Sequence, residues 1–187
     1  MTGAELWLVR HGATEWSESG RHTSRTDLPL TDEGEEQARA LRPRLSGTGF
    51  DLVLTSPRQR ARRTAELAGF PEAVPDDDLV EWDYGEYEGV TTAQIRERVP
   101  GWTVWTHACP GGETAAQVAA RLDRVVARVR DRGGRVLAFG HGHALRMLAV
   151  RWIAMAPTAG AHLDLGTATI SALGDDRGEP VILRWNA

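Results

Sequence analysis

The chain has 187 residues, of which 41% are hydrophobic and 26% charged, with one cysteine, Cys109. It is long enough for one domain (residues 1–187) that removes roughly 70% of the unfolded surface from water, and its composition excludes intrinsic disorder and a disulfide scaffold. The formal charge of −4 argues against a nucleic-acid-binding protein, and no apolar run approaches the ~18 residues of a membrane span.

Met1-Thr2-Gly3-Ala4-Glu5 lacks the basic region and small-residue cleavage site of a signal peptide, so a reducing cytoplasm is the expected compartment. There is no lysine, and all 22 basic residues are arginine. Arginine stays charged and offers a planar fork that matches phosphate oxygens.

Glu5 to Val9 is a short apolar run that predicts a buried strand. The polar segment from His11 to Leu30 has no clean period and reads as a functional loop. Thr31 caps a helix through Leu45, with Glu33 and Glu35 near its positive end. Asp51 to Thr55 predicts a second strand. Ser56 is expected to cap the next helix, with Pro57 in its first position and Gly69 at its end. Asp76-Asp77-Asp78 predicts a solvated turn, and Leu79 to Gly85 a strand end passing into a loop. Thr91 caps a short helix closed by Pro100. Thr114 caps a long one with Val118, Leu122, Val125, Val126 and Val129 inward, stopped at Gly133-Gly134. Arg135 to Phe139 is another strand. Gly140-His141-Gly142-His143 follows it, and then a helix to about Met155. The tail predicts a hairpin around Asp176-Arg177-Gly178.

Strands alternating with helices imply an α/β sheet covered on its faces. Ligands bind beyond the carboxyl ends of the strands in such sheets. Arg10-His11-Gly12 and Gly140-His141-Gly142 both lie at strand exits, each histidine followed by a permissive glycine. A neutral imidazole is a good nucleophile near pH 7, and phosphorus is a target it can attack. Such a reaction needs cations around the phosphoryl oxygens and an acid for the leaving oxygen. Arg10, Arg60 and a protonated His141 are the candidate cations, and Glu81 is the candidate acid.

The ordered blocks Arg10-His11-Gly12-Ala13-Thr14-Glu15-Trp16, Thr55-Ser56-Pro57-Arg58-Gln59-Arg60-Ala61, Glu81-Trp82-Asp83-Tyr84-Gly85-Glu86-Tyr87-Glu88-Gly89, Pro110-Gly111-Gly112-Glu113-Thr114 and Gly140-His141-Gly142 resemble the histidine phosphatase superfamily, nearly end to end. The resemblance implies a phosphoglycerate mutase-like fold: a three-layer α/β/α sandwich with a mostly parallel central sheet. It implies that His11 is phosphorylated, that Arg10, Arg60 and His141 complete the phosphate pocket, and that Glu81 is the proton donor, with Glu88 as the rival acid. It implies no metal and no cofactor. Ser17 stands where many members carry asparagine and is kept as a phosphate contact, and Gly142 is kept for close approach. Arg21 either holds the first loop or faces the phosphate. His22 and Thr23 either touch substrate or are solvated.

The first loop resembles short acid phosphatases and sedoheptulose-bisphosphatase-like enzymes. The short Thr91–Gly112 segment favours hydrolysis over transfer, because a small cap admits water. The expected activity is therefore a metal-independent phosphomonoesterase of acid-phosphatase type acting on small phosphorylated metabolites. A mutase, another phosphotransferase or a sugar bisphosphatase is the alternative. Homodimers are the family's habit. A metal hydrolase built on His11, His141 and His143 lacks carboxylate ligands at binding spacing. A non-catalytic phosphate-binding module is opposed by the presence of every chemical residue. His143 is read as a helix-start residue or a support behind the pocket, Trp102 and Trp105 around His107 either as packing or as a substrate-selecting wall, and Cys109 as structural. Arg58, Arg62 and Arg63 are read as salt-bridging on a solvated face, and His162 as surface.

Overall fold

The computed structural model describes residues 3–187. Met1 and Thr2, part of the stretch read for signal-peptide features, lie outside it. Strand β1 (Glu5–Arg10) occupies the interior of a six-stranded sheet. The other strands are β2 (Leu52–Thr55), β3 (Val74–Pro75), β4 (Arg135–Gly140), β5 (Ile170–Asp176) and β6 (Glu179–Arg184). Their order is β3-β2-β4-β1-β5-β6. The pairs from β3 through β1 are parallel, and only β5 runs against its neighbours.

The sheet is buried on both faces, which is why β1 and β4 read as continuous apolar runs. Leu6, Leu8, Val136 and Ala138 face one layer, with Val118 and Leu122 of helix α5 and Leu145 and Leu148 of helix α6. Val9, Leu137 and Phe139 face the opposite layer, with Leu41 and Leu45 of helix α2 and Ala65 of helix α3. The helices are α1 (Glu15–Ser19), α2 (Asp32–Leu45), α3 (Gln59–Leu67), α4 (Thr92–Arg98), α5 (Ala115–Arg132) and α6 (Gly142–Trp152). This is the three-layer sandwich expected from the sequence.

Helix starts follow local chemistry. Thr31 accepts a hydrogen bond from the Gly34 amide, and Thr91 and Thr114 form reciprocal capping boxes with Gln94 and Gln117, each satisfying donors the helix itself cannot. Pro43 sits near the end of α2 without breaking it. Gly133 closes α5 with φ 68°.

Several expectations are corrected. Ser56 does not cap α3. Arg58 takes the N-cap position with no side-chain bond, and the Ser56 hydroxyl meets His141 at 2.8 Å while accepting from the Arg58 amide at 3.4 Å. Leu79 to Gly85 forms no strand. A single 3-10 turn, Asp77–Leu79, precedes an irregular extended stretch. The acidic run is not simply solvated: Asp76 and Asp78 bind Arg124 and Arg128 of α5. The long first loop contains α1, whose capping box joins Thr14 to Ser17. Helix α6 stops at Trp152 rather than Met155. No described helix is long and apolar enough to cross a membrane.

One register fixes the site. Arg10 pairs with Gly140 across β1 and β4, so His11 and His141, each one residue further, emerge side by side. The His11 amide donates to the Gly140 carbonyl at 3.0 Å. Gly12 serves packing rather than ligand approach, because a Cβ there would lie 2.3 Å from the Gly34 carbonyl oxygen.

Candidate active site

His11 is 6% exposed and lines a cleft of about 250 Å³ at the carboxyl ends of the strands. Its Nδ1 lies 2.7 Å from the Gly12 carbonyl oxygen. A carbonyl only accepts, so Nδ1 carries the ring proton and Nε2 holds the lone pair. Burial first, then the charges of Arg60 and Arg10, push its protonation well below the ordinary histidine range. The ring is held as a neutral base with one nitrogen free of protein partners among the described residues. Arg10 lines the same cleft, anchored by its Nη1 to the Leu165 carbonyl. Its buried Nε has no acceptor, an unusual state for a guanidinium N–H that an anion would correct.

Arg60 and His141 lie beneath His11 rather than in the cleft wall, both fully buried. The ring centroids of His11 and His141 are 5.2 Å apart. Arg60 Nε donates to His141 Nδ1 at 3.2 Å, and its terminal nitrogens donate to the carbonyls of Thr23, Ser24 and Thr26. A guanidinium N–H cannot accept, so His141 Nδ1 carries a lone pair. Its Nε2–H donates to Ser56 Oγ at 2.8 Å. Burial, with Arg60 beside it, pushes His141 well below the ordinary range. The protonated His141 expected from sequence is therefore corrected to a neutral ring in this structure. Arg60 orders the Thr23–Thr26 backbone, and Thr23 meets it through its carbonyl rather than its hydroxyl.

Glu81, 5% exposed, forms part of the cleft. Its Oε1 accepts from the amides of Trp82 and Ala144 at 2.8 Å, and its Oε2 from His143 at 3.0 Å. Two of these donors are N–H groups in the first turn of α6 that have no partner within the helix. The stretch carrying Glu81 lacks strand pairing and is held instead by Arg121, 7% exposed. Arg121 donates to the carbonyls of Asp78, Val80 and Glu81 while pairing with both Glu113 oxygens. Glu113 in turn accepts from the Asp83 amide. Glu88 is turned away from this chemistry, with its carboxylate accepting from the amides of Ser24 and Thr26.

The outer cleft is formed by Ser17, Arg21, His22, Thr23, Gly142 and His143, together with residues given no site role from sequence: Thr14, Tyr84, Arg146 and Asp164. The Ser17 hydroxyl accepts from the Thr14 amide and donates to the Thr14 carbonyl, both at 2.9 Å. The phosphate contact expected of Ser17 is thus replaced here by a helix-start role. Arg21 is exposed and its backbone bridges to Thr91. His22 is buried, and burial lowers it to about 4. Tyr84 and His143 meet at 2.6 Å. His143 is the helix-start residue expected from sequence, in the first turn of α6 after His141, the extended N-cap with φ −126° and ψ 167°, and it also lines the cleft.

Trp102, Trp105 and Cys109 are packed in the core, and burial raises the Cys109 thiol to about 11. Arg63 pairs with Glu35 and Glu66. His107 and His162 are exposed. Among the described residues, no three His, Cys, Asp or Glu side chains gather as a metal-ligand set.

The chain is similar to several known proteins. An acid phosphatase of Mycobacterium tuberculosis is 44% identical over 92% of this chain and 87% of its own length. A sedoheptulose 1,7-bisphosphatase of Saccharomyces cerevisiae is 38% identical over 79% of this chain and 67% of its own. The solved structure of an open reading frame product of Mycobacterium tuberculosis superposes with TM-score 0.93 at 41% identity, covering 98% of this chain and 97% of that one. Mycobacterial glucosyl-3-phosphoglycerate phosphatase in complex with VO3 gives TM-score 0.87 at 26% identity, with 99% and 100% coverage. The family described as histidine phosphatase superfamily (branch 1) matches residues 6–187. That match over nearly the whole chain, together with these relatives, makes the chain a member of the histidine phosphatase superfamily.

Proposed function

We propose that the protein is a phosphomonoesterase of acid-phosphatase type, hydrolysing small phosphorylated metabolites in a reducing cytoplasm through a phosphohistidine on His11. The carrying observation is the fixed tautomer of His11 beside the unpartnered Nε of Arg10. The first group presents a lone pair on Nε2 with its ring proton held on Nδ1, and the second has a donor waiting for an anion.

His11 Nε2 attacks the phosphorus, and the bond from phosphorus to the leaving oxygen breaks. Glu81 protonates that oxygen. Water then attacks the phosphohistidine, Glu81 takes the water's proton, and inorganic phosphate leaves with His11 restored. Arg10 stabilises the charge that gathers on the phosphoryl oxygens. Arg60 and His141 act from below. Arg60 holds the Thr23–Thr26 backbone and carries positive charge close to the nucleophile, and the neutral His141 bridges Arg60 to Ser56.

A short incubation with a 32P-labelled phosphomonoester, quenched in alkaline detergent, is expected to leave label on the protein that survives base and is lost in acid, the signature of a P–N bond. Label that survives acid, or turnover with no labelled protein under rapid quench, would count against the intermediate. Glu81→Gln keeps the size of the side chain but cannot donate a carboxyl proton. Its loss of turnover is expected to be about a hundredfold or more for alkyl phosphates and much smaller for 4-nitrophenyl phosphate, whose leaving group needs no proton. Equal losses across that series would remove Glu81 from the acid role.

A further inference from the structure

Two cavities meet at His22. One is the cleft above His11. The other is a groove of about 210 Å³ walled by Trp102, Val104 and Trp105. His22, Thr92 and His143 are the residues the two linings have in common. One layer of side chains therefore stands between a phosphate-sized polar cleft and an aromatic groove.

The members of that layer are not equally replaceable. His143 is tied to the Tyr84 hydroxyl, and its amide supports Glu81. His22 touches neither the nucleophile nor the candidate acid by any hydrogen bond. Its backbone pairs with Val90 and Gly89. Its Nε2 lies 3.3 Å from the Thr92 hydroxyl. Its ring leans on Tyr84 at 4.6 Å between centroids and meets Trp102 edge-on at 5.4 Å. Backbone, hydroxyl and two aromatic rings thus hold one imidazole across the passage, with its flank filling the space against Trp102.

Resting on the phosphomonoesterase reading, we propose that His22 is the specificity-determining partition of the cleft. It confines the leaving group to a compact one, and the groove behind it is a latent subsite for a planar, apolar extension. The tryptophan walls supply that preference, because flat apolar groups gain offset and edge contacts with indole rings. Shortening His22 joins the two spaces, and a bulky leaving group then gains contacts that a compact one cannot use.

The test compares phenyl phosphate with 1-naphthyl phosphate, two aryl esters that differ mainly in leaving-group size. In His22→Ala the naphthyl-to-phenyl ratio of kcat/KM is expected to rise about tenfold or more over wild type, the scale at which a filled pocket discriminates size. His22→Phe restores a ring and is expected to keep the wild-type ratio. Thr92→Ala removes only the hydroxyl support and is expected to shift the ratio the same way by about threefold. It decides the matter if His22→Ala does not fold. A ratio within about twofold of wild type in every folded variant, with phenyl phosphate turned over normally by wild type, would overturn the partition. Failure of wild type to hydrolyse phenyl phosphate would instead overturn the phosphatase reading. In that case calorimetric Kd values for phenylphosphonate and 1-naphthylphosphonate on the same proteins give the size ratio without turnover, and the same thresholds apply.

Discussion

His11→Ala is expected to lose at least about a thousandfold in turnover of any phosphomonoester the wild type accepts, because it removes the group that forms the covalent bond. The fold should survive. The ring makes one hydrogen bond, to the neighbouring Gly12 carbonyl. The site's framework is built from other contacts: the Arg60 bonds to Thr23, Ser24 and Thr26, the Arg121 clamp on the Glu81 stretch, and the β1–β4 register. Circular dichroism and the unfolding midpoint should stay close to wild type while the base-stable protein label disappears. A folded variant whose turnover lies within about tenfold of wild type would refute His11 as nucleophile.

The parts of the site that could be read in sequence are those fixed by strand register. His11 and His141 lie directly after paired strand ends, and two apolar runs of similar length are enough to predict that. The helix caps at Thr31, Thr91 and Thr114 were legible for the same local reason, since a side chain and an amide three residues apart decide them. The Glu81 stretch was not. Val80 and Trp82 gave it a strand-like look, but its backbone is satisfied by a guanidinium forty residues away, and one-dimensional patterns carry no trace of Arg121 reaching back. Ser56 and Ser17 failed for a related reason. Small hydroxyls beside helix starts suit several partners, and tertiary contacts chose His141 for one and Thr14 for the other. The protonation of His141 differs from the expectation because its Nδ1 faces the Nε–H of Arg60. Sequence shows that an arginine and a histidine converge, but not which nitrogen faces which.

Acid should unfold the unliganded protein unusually early. His11, His22, His141 and His143 are each held below the ordinary histidine value, with burial the largest cause in every case. The unfolded chain protonates these groups near pH 6.5, whereas the folded chain refuses the proton. The unfolded state therefore binds more protons, and stability falls as pH drops through about 6.5. Each such group costs about 1.4 kcal/mol per pH unit until its folded value is reached. For His22 that limit is about 4, giving a full loss of about 3 kcal/mol. The four groups act in the same direction, against a total stability of about 5–15 kcal/mol for an ordinary domain. The lowered carboxylates Glu5, Glu35 and Asp78 add their own loss only below about pH 4.5, so the histidine window stands apart. Thermal unfolding between pH 7.5 and 4.5 should show the midpoint dropping steeply below about pH 6. His22→Gln should reduce the slope by about one proton's worth, 1.4 kcal/mol per pH unit. Inorganic phosphate, seated against Arg10 and His11, should move the fall to lower pH, because it binds the folded state and favours a proton on the imidazoles beneath it. A midpoint that is flat from pH 7 to 5, with or without phosphate, would mean that these rings take up protons in the folded protein and that the site is far wetter than its packing indicates.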